Sequence, residues 1–204
     1  MTQKVLYKYK SRRNDTQLVQ SDAGVYVSKH FLTKEGFLRE LQIYNRLRGS
    51  EVPCAEVVLA LDTQLLLTKL PGSNLVDCLD RQERSQYPQW IIWEKLVNWL
   101  VMFRAVTGCI MADVNLRNFM YDERTQTLYG LDFEECVEGS LFVSAAKVAA
   151  FIRTYAPENT PLKQEISKYV LHLFSQTCGF DMDLLFRESK RQETILLERR
   201  KKRI

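Results

Sequence analysis

"MADVNLRNFMYDERTQTLYGLDFEE", residues 111–135, places Asp113, Asn118 and Asp132 on an otherwise apolar, turn-punctuated stretch of chain. Asp113 and Asn118 flank Leu116, so a loop anchored by Val114 and Leu116 directs both polar side chains into one cleft. Asp132 follows a turn and the short strand "TLYGL", which returns the chain alongside that loop. Oxygen donors from Asn118 and Asp132 suit Mg²⁺, a hard cation that takes few protein ligands and completes its shell with water and phosphate. Asp113 then remains to orient a hydroxyl and accept its proton.

The rest of the chain bounds what such a cleft belongs to. Its 204 residues, 46% hydrophobic and 26% charged, are enough for one good core or two small lobes sharing a seam. No window is apolar and uncharged for long enough to span a bilayer, and "MTQKVLYKYKSRR" has no apolar segment after its charges. Neither a transmembrane segment nor a signal peptide is expected, which makes cytoplasmic the default location. Cys54, Cys78, Cys109, Cys136 and Cys178 are odd in number, scattered and never spaced as C-x-x-C, which argues against a disulfide framework and against zinc. The net charge of +4 is local: without Arg199, Arg200, Lys201, Lys202 and Arg203 the 29 basic residues become 24, against 25 acidic ones. A near-neutral body thus ends in a basic tail, 199–203, which is either the solvated end of a last helix or a site for an anionic partner such as phosphate or anionic lipid.

Texture changes near residue 71. Before it, "KVLYKYK", "TQLVQ", "GVYVSKHF", "AEVVLALD" and "QLLLTKL" are short strand-like runs between turn signals, which predicts a five-stranded antiparallel sheet. Between the third and fourth, "GFLRELQIYNRLRG" repeats Phe37, Leu41, Tyr44 and Leu47 at helical spacing, with Gly49 to end the helix. After "PGSNL" helices are predicted near 73–83, 88–107, 141–155, 162–177 and 181–200, interrupted by a loop and hairpin at 111–135. The expected architecture is α+β, with an N-terminal lobe of residues 1–70 and a mainly helical lobe of residues 71–204. In "VYVSKHF", alternation puts Val25, Val27 and Lys29 on one face of a strand, an ammonium among apolar neighbours.

The pattern D-x-x-x-x-N followed by D-F resembles the catalytic loop and metal-binding segment of the protein-kinase-like superfamily, two-lobed enzymes that include lipopolysaccharide-core sugar kinases, choline and aminoglycoside kinases and RIO-type kinases. The resemblance covers residues 1–135 in order. It implies that Lys29 contacts the phosphates of ATP and that a glutamate on the following helix holds it. Glu40 is similar in setting to that glutamate; Glu35 is the alternative, although it precedes the apolar periodicity. In "LLLTKLPGSNL", the resemblance implies that Leu67 lines an adenine pocket and that backbone groups of Thr68, Lys69 and Leu70 meet the base.

Departures from the family pattern are as specific. The first turn, "KSRRND", has no glycine to bring backbone amides to phosphate, so Arg12 or Arg13 either substitutes with side-chain charge or belongs to an exposed basic turn. Met111 stands where the family has histidine, and "FVSAAKVAAF" has no aspartate to support the loop. "DFEE" is similar to the D-F-E of choline-kinase-type and bacterial sugar-kinase-type enzymes. The resemblance therefore implies a Mg-ATP-dependent kinase of a small molecule or sugar; an atypical protein kinase or ATPase within a larger assembly, and a pseudokinase binding module, are the alternatives.

Overall fold

The computed structural model describes residues 4–10 and 13–201. Turn chemistry in the first third produces hairpins. β1 (Lys4–Lys8), β2 (Asp15–Ser21) and β3 (Gly24–His30) pair antiparallel in succession; after α1 (Lys34–Leu47), β4 (Val57–Leu61) and β5 (Gln64–Thr68) form another pair. β5 lies against β3, giving the sheet order β1-β2-β3-β5-β4. Lys29 is thus on the central strand, opposite Thr16 on one side and Leu65 on the other.

Thr33 starts α1: its backbone is extended, and its hydroxyl accepts the Gly36 N–H at 3.1 Å. The helix buries Phe37, Ile43, Tyr44 and Leu47, and with them Glu40, which is 0% exposed. A carboxylate on that stripe requires a partner, because burying it alone is prohibitive.

Beyond β6 (Ser73–Asn74), α2 runs from Leu75 to Ser85, two residues later than the sequence pattern predicts. Asn74 explains the shift: its side chain accepts the Val76 and Asp77 N–H groups as a cap, while β6 pairs with a strand further on. α3 (Trp90–Thr107) is the central helix, with Ile92, Trp93, Leu96, Val97 and Leu100 all buried. Between α3 and α4 (Leu141–Thr154) lie β7 (Ile110–Met111), a 3-10 turn (Leu116–Asn118), the hairpin β8 (Phe119–Asp122) and β9 (Thr127–Gly130), and β10 (Cys136–Val137). β6 joins the open side of β8, and β7 pairs with β10. α5 (Pro161–Cys178) and α6 (Met182–Lys201) pack on α4, whose Ala145, Ala146, Ala149 and Ala150 admit close neighbours.

A single buried cluster runs from Phe31 and Leu67 in the sheet through Trp99 and Phe133 to Phe174 in α5. All five cysteines are free, and Cys78, Cys109 and Cys136 are buried as small apolar groups. Among the described residues no helix is long and apolar enough to cross a membrane.

Candidate active site

Lys29 is the hub. Its Nζ donates to Glu40 Oε2 and to Asp132 Oδ1, both at 2.6 Å, and lies 4.8 Å from the centre of the Phe31 ring. Glu35, the alternative partner, instead pairs with Arg39 on the exposed side of α1. Sequence order alone separates Lys29 from Asp132 by 103 positions; the shared core brings them into contact.

Asp132 is fixed by its neighbour. Phe133 is fully buried, stacked on Phe103 (5.5 Å between centroids) and Trp99 (6.2 Å) and met edge-on by Tyr44 (5.0 Å). Burial of that ring contributes roughly 1.5–3 kcal/mol and pins the backbone just before it. Asp132 itself has φ +64°, a left-handed conformation uncommon outside glycine, and one that persists where the surroundings hold it. Gly130 lets this happen: a side chain there would run into the Trp99 indole, whose N–H donates to the Pro53 carbonyl at 2.8 Å.

Glu134 packs over the first turn of α1, in space open only because residue 36 is glycine. It accepts from Asn14 Nδ2 at 2.6 Å, while Arg13 in the β1–β2 turn pairs with Glu135. The glycine-free turn therefore reaches the D-F-E-E segment through side chains. Arg12, its other basic candidate, lies outside the described residues.

The loop carrying Asp113 and Asn118 is held from several sides. Val114 and Leu116 are fully buried. At the position of Met111 the main chain supplies the support: Met111 pairs with Cys136, and Ala112 N–H donates to Glu135 O at 3.2 Å. Lys147 of α4 donates to the Ala112 carbonyl at 2.9 Å, and Tyr155 donates its hydroxyl to Asn115 Oδ1 at 2.6 Å. Sequence reading missed Asn14, Lys147 and Tyr155. Only Lys147 left a signal, as a lone charge within an otherwise apolar run of α4.

Asn118 donates its side-chain N–H to the Asp113 carbonyl at 3.1 Å, which turns its carboxamide oxygen the other way. Its backbone carbonyl accepts from Leu131, one residue before Asp132, so loop and strand run side by side. Asp113 is exposed to solvent, yet surrounding protein removes enough water to raise its pKa; the Asp132 charge raises it further, against a hydrogen bond from the Asn115 backbone. A carboxylate so tuned is a better proton acceptor.

The charges do not balance. Burial alone would lower the Lys29 pKa, but Glu40 and Asp132 outweigh it and keep the ammonium charged. One ammonium cannot neutralise two carboxylates, and the excess falls on Glu40, the most deeply buried, whose Oε1 has no hydrogen-bond partner. Burial, with Asp132 and Glu134 adding to it against Lys29, raises its pKa to about 7. The native state thus holds a proton that the unfolded chain releases from about pH 4.5, so this group's stabilisation is lost as pH rises to about 7. The difference is on the order of 3 kcal/mol. Urea midpoints of metal-free protein should fall across that window, and Glu40→Gln should flatten the fall; an identical profile in the variant would count against it.

Oxygens of Glu40, Asp132 and Glu134 lie within 4.8 Å of one another. This all-carboxylate oxygen set fits a hard cation such as Mg²⁺ rather than a softer metal. Leu67 is buried on β5. The Thr68 N–H is spent on the Glu56 carbonyl at 3.0 Å, so Lys69 and Leu70 are left as candidates to meet a base edge.

The fold, a five-stranded antiparallel sheet with one helix followed by a mainly helical part, has solved neighbours. The chain is similar to a 2.2 Å crystal structure of WbdD, with TM-score 0.58, 16% identity and coverage of 93% of this chain and 46% of WbdD. It is also similar to a co-crystal structure of WbdD and the kinase inhibitor LY294002, with TM-score 0.55, 19% identity and coverage of 93% and 45%. The chain therefore spans less than half the length of these neighbours. No family model and no curated protein matches it.

Proposed function

We propose that the protein is an ATP-dependent phosphotransferase that moves the γ-phosphate of Mg-ATP to a hydroxyl of a small molecule or sugar. The carrying observation is the convergence of Lys29 on Glu40 and Asp132 beside the Asp113 loop. That the second neighbour was co-crystallised with a kinase inhibitor is in keeping with a nucleotide site on this fold. In this reading residues 1–70 hold the nucleotide and residues 71–204 the acceptor.

Asn118 and Asp132 would hold Mg²⁺, which when bound neutralises phosphate charge. Lys29, aimed by Glu40, fixes the phosphates, and Leu67 with Lys69 and Leu70 receives the base. Asp113 orients the acceptor hydroxyl and takes its proton. The acceptor oxygen bonds to the γ-phosphorus, the bond to the β–γ bridging oxygen breaks, and ADP leaves. Positioning and charge neutralisation supply most of the rate.

ADP release should be followed with Mg-ATP across a panel of sugars and alcohols. Lys29→Met should lower turnover by at least roughly 10²-fold, the scale of a lost contact to developing phosphoryl charge. Acceptor-independent ADP release, unchanged in Lys29→Met, would remove the proposal.

A further inference from the structure

Val114 and Leu116 set how deep the Asp113 loop sits, but apolar contact has no preferred direction and does not aim the polar side chains beside them. Directed contacts come from α4, on both sides of Asp113. Lys147 donates to the Ala112 carbonyl at 2.9 Å, and Tyr155, the residue that follows the helix, donates its hydroxyl to Asn115 Oδ1 at 2.6 Å. The same oxygen accepts the Arg117 N–H at 3.0 Å, and the Asn115 carbonyl accepts the Asn118 N–H at 2.8 Å, so Asn115 shapes the 3-10 turn that follows it. Two donors on one atom identify it as the carboxamide oxygen.

Tyr155 is itself fixed from three helices. Its carbonyl accepts from the Lys163 ammonium of α5 at 3.1 Å, and the Pro157 carbonyl accepts from the same group at 2.6 Å. Lys163 is 0% exposed, with Glu83 of α2 adding a carboxylate 3.9 Å away. A buried ammonium is tolerated only when it is hydrogen-bonded, and this one is committed to the main chain at the corner between α4 and α5. Arg200 of α6 donates to the Thr154 carbonyl and has its guanidinium 5.5 Å from the centre of the Tyr155 ring, so this part of the basic segment packs on the same corner. Lys202 and Arg203 lie outside the described residues. Burial pushes the Tyr155 pKa up to about 12, which keeps its proton available to Asn115 through the neutral range.

We propose that Tyr155 is a positioning residue: through Asn115 it fixes residues 113–115, and with them the direction from which Asp113 meets the acceptor hydroxyl. The consequence for transfer rests on the reading of Asp113 as the acceptor-side group. Tyr155 acts through another residue and not on substrate, because its hydroxyl proton is committed to Asn115 and its ring lies against Phe151 and Arg200. Misplacing a reacting group by about 1 Å costs about 10²-fold in rate, so a single directed hydrogen bond is enough to matter. Asn118 has holds of its own, since its carbonyl accepts from Leu131 at 3.0 Å and the adjacent Phe119 is fully buried. Loss of the Tyr155 hydroxyl therefore falls on the Asp113 end of the loop.

Tyr155→Phe tests this by removing the hydroxyl and keeping the ring. Transfer from Mg-ATP at saturating substrate should slow about tenfold or more, with the KM for Mg-ATP little changed. On an Asp113→Ala background the same substitution should cost nothing further, because a residue that acts through Asp113 has nothing left to position. In the ligand-free protein, the Arg117 and Asn118 amides should exchange with solvent faster in Tyr155→Phe, while those of Leu96 and Leu100 in α3 keep the parent rates. Tyr169→Phe, which removes a hydroxyl bond of the same length, 2.6 Å to Glu94, should change neither transfer nor exchange in the loop. Undiminished transfer in Tyr155→Phe, or an equal fractional loss on the Asp113→Ala background, overturns the proposal, as does unchanged exchange at Arg117 and Asn118. If the parent transfers phosphate to no acceptor, the kinase reading falls instead; faster loop exchange in Tyr155→Phe then still upholds Tyr155 as the residue that positions the loop, and unchanged exchange overturns it.

Discussion

Asp113→Ala is expected to bind Mg-ATP within a few-fold of the parent while transferring phosphate roughly 10²-fold or more slowly. Asp113 opens the loop and its pKa is raised, while the Lys147 and Arg13 charges act against that rise. In the proposed function the oxygen donors for the metal would come instead from Asn118 and Asp132, so removing Asp113 should spare the nucleotide. Its backbone carbonyl still accepts from Asn118 in the variant, which preserves the loop. Nucleotide titration and single-turnover transfer on the same preparation separate the two effects. Equal loss of both would mean that Asp113 supports the metal site, and undiminished transfer would remove it from the chemistry.

Asp132→Asn should change stability in opposite directions with and without ligand. With Mg-ATP present, the thermal stabilisation seen in the parent should largely vanish, because ligand stabilises the fold in proportion to its affinity. Without ligand, the variant should be more stable than the parent above about pH 7. The reason is the sharing of Lys29: with one carboxylate neutral, Glu40 keeps the ammonium to itself and one contribution to its raised pKa disappears. Melting temperatures of both proteins, with and without Mg-ATP, check both signs. A variant destabilised without ligand, or still stabilised by Mg-ATP as the parent is, would refute the charge assignment at Asp132.

Strands, helices and their order were legible because turn residues and apolar spacing mark them locally, from "SDAG" before β3 to the helical recurrence of Phe37, Tyr44 and Leu47. β7 and β10 were not, since two residues have no periodicity to detect. The polar residues of "DVNLRN" and "LDF" stood out as carboxylates and an amide on apolar segments. Their partners did not: Asn14 meets Glu134 across 120 positions, and Tyr155 meets Asn115 across 40, and nothing local marks either. Nor does sequence order reveal that one lysine must serve two carboxylates, which is a property of the packed core alone.

Phe133 adds something to the behaviour of the whole molecule. Its ring touches Tyr44, one helical turn beyond Glu40 on α1, and Trp99 and Phe103 on α3, while its own backbone carries Asp132. Only residues 133–140 then separate Asp132 from the start of α4. The helix that aims the lysine, the segment that presents the aspartate and the central helix are thus riveted through one aromatic ring. Such a joint makes the arrangement a standing property of the folded chain, so its output would follow the supply of nucleotide and acceptor rather than an on–off signal delivered to that segment.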